Sequence, residues 1–323
     1  MLKAYQLQNG GLKGSEIEDG AAVPAGSLWI DLYDPTFAER QAVNTLLGME
    51  LPTRADMEEI EISSRLYTED GGVFMTALVL ANADTDSPVA DVVTFVLARE
   101  KLITIRYVDP QPFRTFAARC SRSLVVAPKA EAVLNALLDV IVDRMADVLE
   151  RVGTDVEGVS REIFSADPAR AGRRDFQNVL RRLGAKHDLT AKMRECLLTF
   201  NRMLTFLGTA IDTKATKEAR AHVKSLTRDT TSLLDHSTFL AGKLSYLQDA
   251  TLGLINNEQN NIIKIMSVAA MVFLPPTLIA SIYGMNFRYI PELDWPFGYF
   301  FSIVLMVISA VVPYLWFKRR GWL

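Results

Sequence analysis

Asn286 stands two residues after Gly284 at the close of a long apolar run, where its carboxamide offers a neutral carbonyl oxygen. Gly284 lets the chain turn close to its neighbours without a Cβ in the way. Repeated around an axis, such amides would make an oxygen-rich collar that accepts hydrogen bonds from the waters of a hydrated cation. Mg2+ suits a collar of that kind because it is small and sheds water reluctantly. The connector 284–296 holds Arg288 against Glu292 and Asp294, an excess of one acid that draws cations towards the amide.

A collar needs a wall, and two segments can supply one. Ile262 to Tyr283 is 22 residues with a single charge, Lys264, near its start, and Phe297 to Phe317 is 21 residues with none. At about 1.5 Å per residue, each crosses a hydrocarbon core of roughly 30 Å. Lys264 and the cluster Lys318, Arg319 and Arg320 flank one side, so both chain ends are expected in the cytoplasm. Trp295, Tyr299, Trp316 and Trp322 fall near the two interfaces, where amphipathic rings anchor spans.

Two helices enclose no lumen, so an aqueous path has to be built by several chains. The first span is the better lining candidate, because Asn260, Ile263, Met266, Ala270, Leu274, Thr277 and Ser281 recur at three- and four-residue steps. Met266 and Leu274 would form hydrophobic rings that close by dewetting. The same stripe also fits a packed coiled-coil seam, and its period alone favours that seam. Pro275-Pro276 lies inside this span, where a bend is expected.

The rest of the chain must hold these segments together. With 323 residues the chain exceeds the usual single core, so several regions are expected. Residues 1–127 read as a cytoplasmic α/β domain, with strand runs at Leu28–Leu32, Val73–Leu80, Val92–Leu97 and Leu102–Val108 and a helix from Ala38 to Leu47. Glu100-Lys101 is expected as the tight link between the last two strands. Residues 128–218 carry apolar positions at helical steps from Val133 to Val152, an end at Asp167-Pro168, and a second helix from Phe176 to Leu207. Residues 219–261 form a stalk helix, because no proline interrupts the chain from Ala219 to Ala270. The spans at 262–283 and 297–317, the outer loop 284–296 and a basic tail at 318–323 complete the order. The fold class is therefore an α+β domain followed by long helices and a two-helix transmembrane hairpin.

Charge and composition exclude other classes. Lysine plus arginine number 35 against 38 acids, which gives no electrostatic reason to bind nucleic acid. Cys120 and Cys196 are too few for a disulfide framework or a zinc knuckle, and a reducing cytoplasm suits them. No secretory signal is readable at the start, and the amino end is expected in the cytoplasm. His187, His222 and His236 are scattered with no nucleophile pattern, so no enzyme is expected. A phosphate-binding loop of the G-x-x-x-x-G-K-[ST] type does not occur. Acids crowd one helix at Asp139, Asp143, Asp147, Glu150, Asp155, Glu157 and Glu162, either as a solvated face or as a cation-concentrating surface.

Tyr283-Gly284-Met285-Asn286-Phe287 and Ile290-Pro291-Glu292-Leu293 resemble the Gly-Met-Asn signature and the Met-Pro-Glu-Leu loop of the CorA family of divalent-cation channels, with isoleucine replacing methionine. Glu258-Gln259-Asn260, Phe273-Leu274-Pro275-Pro276-Thr277 and the tail Lys318 to Leu323 are similar to that family too. The resemblance covers the whole chain. It implies a funnel-shaped homopentamer in the cell inner membrane that admits Mg2+, and also Co2+ and Ni2+, down the membrane potential. It places the selectivity motif at Gly284, Met285 and Asn286, pore-lining roles at Asn260, Met266, Leu274, Thr277 and Ser281, an acidic outer loop at Glu292, and a basic inner ring at Lys318, Arg319 and Arg320. It also implies regulatory Mg2+ sites between neighbouring cytoplasmic domains, for which Asp84, Asp86 or Asp91 opposite Asp229 or Asp235 are the candidates. The rivals are a ZntB-like Zn2+ transporter on the same scaffold and a structural protein tethered by its hairpin. Neither span nor the connector contains His or Cys, which favours magnesium over zinc.

Overall fold

Alternating apolar residues in the first hundred positions fold into one mixed sheet, as a computed structural model of the chain describes. The description covers all residues except 9–10, 123–128, 166–174, 211–216, 287–290, 292–294 and 323. The strands are β1 (Leu2–Gln8), β2 (Gly11–Ile17), β3 (Ser27–Tyr33), β4 (Leu66–Glu69), β5 (Gly72–Ala81), β6 (Val89–Ala98) and β7 (Lys101–Arg106), in the order β2-β1-β3-β7-β6-β5-β4. Only the central β3–β7 pair is parallel; the other neighbours are antiparallel. Two short helices after β3, α1 (Phe37–Leu47) and α2 (Arg54–Glu58), cover one face through Val43, Leu47 and Met57 against Ile30, Leu32, Ile103 and Ile105. Thr36 and Glu39 close a capping box at the start of α1, which satisfies two otherwise unpaired amides. A single turn, α3 (Ile62–Arg65), leads into β4.

The link between β6 and β7 is Arg99-Glu100, both at positive φ, and Lys101 already belongs to β7. The expected link at Glu100-Lys101 is thus corrected by one residue. Pairing Ala98 with Lys101 leaves two residues for the turn, and a two-residue hairpin with left-handed backbone matches the twist of the strands.

The opposite face of the sheet receives the longer helices: α4 (Gln111–Arg122), α5 (Ala130–Phe164) and α6 (Phe176–Ala210). Asp167-Pro168, read as the end of the first long helix, lies outside the described residues; α5 itself closes at Phe164. Leu137, Ile141, Met145, Val148 and Val152 are buried along α5, as the helical steps require. Helix α7 (Lys217–Tyr283) follows as 67 unbroken residues. Its amino-terminal half buries Val223, Leu226, Thr230, Ser237, Leu240, Leu244 and Leu247, a seam of three- and four-residue steps with one step of seven. Thr230 and Ser237 enter that seam with their hydroxyls bonded to carbonyls of their own helix.

On this face of the sheet a polar network sits among aromatic rings. Asp31 of β3 accepts from Arg106 Nη2 at 2.9 Å, from Arg106 Nε and from Thr104 Oγ1 at 2.7 Å. Trp29 Nε1 donates to Thr104, and the Arg106 guanidinium lies over the rings of Tyr33 and Phe113. Burial alone would lower the Arg106 pKa, but the carboxylates of Asp31 and Asp109 outweigh it and raise it. Burial also pushes the Tyr5 hydroxyl up to about 12.

The chain divides into two compact units, Met1–Gln248 and Asp249–Leu323. The second holds the end of α7 and the last helix, α8 (Gly298–Arg319). Both helices contain a segment long and apolar enough to cross a membrane, and those segments are almost wholly exposed in the single chain. Helix α7 continues through Pro275 and Pro276, so the carbonyls of Met271 and Val272 lack their usual amide donors.

Candidate cation pathway

All five stripe residues with a proposed lining role lie on α7 and are exposed in one chain: Asn260, Met266, Leu274, Thr277 and Ser281. Exposure does not single out their face, because Ile262, Ile265, Met271, Phe273, Leu278 and Ile282 are exposed as well. A helix that is apolar on every side needs lipid or neighbouring protein around it. Thr277 turns its hydroxyl proton back to the Phe273 carbonyl at 2.7 Å, which leaves its oxygen lone pairs outward.

Helix α7 stops where the motif begins. The Gly284 amide donates to the Ala280 carbonyl at 2.9 Å and the Met285 amide to Ile282 at 3.2 Å, and Asn286 follows, exposed. A Cβ on Gly284 would come within 3.1 Å of the Ala280 oxygen, tighter than an ordinary contact. The negative end of the helix dipole, about half a charge, therefore faces the position of Asn286 and favours a cation there. Glu292 lies outside the described residues. Lys318 and Arg319 form the last turn of α8, and the Arg320 guanidinium sits 4.9 Å over the Trp316 ring.

The five candidate regulatory acids do not gather within one chain, and no group of three or more His, Cys, Asp or Glu side chains suited to a metal occurs among the described residues. Asp84 is gripped by Arg144, at 2.6 Å, and by Arg151. Asp91 accepts from the amide of Val92 and lies 3.9 Å from Arg54. Asp86, Asp229 and Asp235 are exposed. Asp84 is held below the ordinary carboxylate range, chiefly by the Arg151 hydrogen bond, with the charge of Arg144 adding to it. A carboxylate lowered in the folded state stabilises above its unfolded pKa and loses that contribution as pH falls through the folded one. The wild type should therefore exceed Asp84→Asn by ~0.2–1 kcal/mol at pH 7, given the half-exposed pair. That gap should close below about pH 3.9, read by denaturant unfolding at stepped pH.

Four of the seven crowded acids of α5 meet partners on the neighbouring helices, a pairing that sequence spacing does not reveal. Asp155 meets Lys186, Glu162 meets Arg182, Glu157 meets Lys243, and Asp139 accepts from or donates to His222 Nε2 at 2.9 Å. Burial pushes the Asp139 carboxyl up against the pull of His222, and Asp143 and Asp229 push the same way. Asp139 and His222 join α5 to α7, a contact missed because the two residues are 83 positions apart.

The family model described as CorA-like Mg2+ transporter protein matches residues 24–319. The chain belongs to the CorA family. Curated CorA relatives named magnesium transport protein from Yersinia pestis and Escherichia coli (strain K12) are each 36% identical over 323 residues, covering 100% of this chain and of theirs. The complete structure of the CorA magnesium transporter from Methanocaldococcus jannaschii aligns over 100% of this chain and 99% of its own with a TM-score of 0.77 at 21% identity. The ZntB cytoplasmic domain from Vibrio parahaemolyticus aligns over 79% of this chain and 98% of its own, with a TM-score of 0.54 at 10% identity. The first likeness establishes the CorA fold of the chain, an amino-terminal α/β domain, long helices and a carboxyl-terminal helix pair, and the second extends over 79% of it only.

Proposed function

We propose that this chain assembles as a homopentamer in the cell inner membrane and conducts Mg2+, with Co2+ and Ni2+ as further substrates, into the cytoplasm. The observation that carries the reading is the Gly284-Met285-Asn286 motif at the carboxyl end of a span that is continuous with a cytoplasmic helix. The identity of 36% over full length with curated magnesium transport proteins supports the choice of ion. The basic tail at Lys318, Arg319 and Arg320 supports cytoplasmic chain ends. One charge crossing 100 mV gains about 2.3 kcal/mol and a divalent ion roughly twice that, so influx needs no fuel.

Asn286 carboxamides would test the hydrated ion, and Asn260, Met266, Leu274, Thr277 and Ser281 would line its path. Glu292 would concentrate cations outside, and Lys318, Arg319 and Arg320 would ring the inner mouth. Cytosolic Mg2+ would close the channel at sites between copies built from Asp84, Asp86, Asp91, Asp229 and Asp235. Asp84 enters such a site only by releasing Arg144 and Arg151.

Purified protein in liposomes with an inside-negative potential should take up Mg2+ without a proton gradient. Zn2+ uptake that needs a proton gradient, with no Mg2+ flux, would assign the chain to the ZntB-like reading. Oligomers that pass no ion at all would leave a structural role.

A further inference from the structure

Helices α6 and α7 leave between them a groove of about 440 Å3. Arg220, Lys224 and Arg228 of α7 line it, with Thr205 and Gly208 of α6, and no carboxylate lines it among the described residues. The three cations recur every four residues, so they stand on one face in steps of about 6 Å and reach over about 12 Å. Like charges at that spacing repel. Neither Lys224 nor Arg228 has an ion pair among the described residues, whereas on the same two helices Lys186 meets Asp155 and Lys243 meets Glu157.

The groove offers donors of one kind. Thr205 and Thr227 spend their hydroxyl protons on the carbonyls of Asn201 and Val223, at 2.8 and 2.9 Å. The cations are thus what the groove presents to a ligand, and a row of them suits an elongated molecule made of acceptors and negative charge. Phosphate oxygens meet guanidinium forks in bidentate pairs and meet ammonium as a point charge. A Cβ on Gly208 would meet nothing nearer than Val223 Cγ1 at 3.9 Å, so the groove has an open floor.

We propose that this groove binds a soluble phosphate oligoanion, the linear triphosphate unit of polyphosphate or of a nucleoside triphosphate. The ligand engages α7, the same unbroken helix that carries the candidate pore stripe, which gives it a route to influence conduction. Binding is read on the protein itself, so its outcome is separate from whether the chain conducts Mg2+.

The test is calorimetric titration of full-length protein in detergent with sodium tripolyphosphate and with orthophosphate, alongside light scattering of the same samples. Tripolyphosphate should bind at least about tenfold more tightly than orthophosphate, and rising salt should weaken it. Lys224→Gln with Arg228→Gln should weaken it at least about tenfold with the oligomer intact. Gly208→Met, which fills the floor and favours helix, should weaken it without removing a charge. Undetectable tripolyphosphate binding in the wild type, or equal binding in both variants, overturns the proposal. So does dispersal of the oligomer by the glutamine variant, which would make the groove a contact between copies. Displacement of tripolyphosphate by a lower concentration of short-chain phosphatidylglycerol would reassign the groove to a lipid headgroup and overturn the soluble ligand.

Discussion

Asn286→Ala should abolish Mg2+ uptake into liposomes and leave the oligomer intact. In the proposed collar each carboxamide oxygen would accept a hydrogen bond from the shell of a divalent ion, and bonds with a charged partner contribute about 1.5–3 kcal/mol. Each 1.4 kcal/mol is about tenfold in occupancy, so loss of one such bond per ion already costs roughly tenfold, and a ring loses several. The helix end is unharmed by the change, because Gly284 and Met285 close it through their own amides to Ala280 and Ile282. Asn286 is exposed in the single chain and lies outside its packed core. Size-exclusion with light scattering checks assembly, and a Mg2+-sensitive dye checks flux. Uptake at the wild-type rate would remove the collar from the mechanism, and loss of assembly would recast Asn286 as a structural residue.

The same contrast between local and distant information explains what could be read from the chain. The two spans are legible because 18 or more apolar residues with few charges have few other stable homes. The stripe on the first span is legible because the period survives in one continuous helix, α7. Four of the strands announce themselves by apolar runs, but β1, β2 and β4 do not. Lys3, Gln6 and Gln8 of β1 and Lys13 and Glu16 of β2 stay unburied, and β2 buries only Gly11 and Leu12, so a half-solvated pair reads as polar. β4 is an edge strand of four residues, and its one clear signal is Asp70-Gly71, whose positive φ values close the hairpin onto β5. The acids of α5 were legible as residues and illegible as a site. Their cations lie on α6 and α7, and a formal charge says nothing of which helix will pack against it. The candidate regulatory acids are harder still, because a site between copies would leave no trace in the spacing of one chain.

Removing the guanidinium from the buried network should produce the largest loss of stability in the chain. Arg106→Met leaves the Asp31 carboxylate among Trp29, Tyr5 and Phe113 with only the Thr104 hydroxyl still donating. Removing one partner of a buried pair costs about 3–5 kcal/mol, since the remaining charge has neither water nor a counterion. The side chains of Arg106 and Asp31 are 6% and 4% exposed, so the discount that applies to a surface pair does not apply here. A loss of that size lowers the melting temperature by on the order of 10 °C. Arg106→Lys should fail as well, because one ammonium cannot reach Asp31, the Val108 carbonyl and Asp109 at once as the fork does. The double change Asp31→Leu with Arg106→Met should recover most of the loss, because apolar partners carry no desolvated charge. Trp29 donates into the network through Thr104 and reports its breakdown by fluorescence during a thermal melt of the full-length protein. A loss below about 1 kcal/mol in Arg106→Met would mean that water reaches Asp31, and that the parallel β3–β7 pair is held by its backbone and apolar contacts alone.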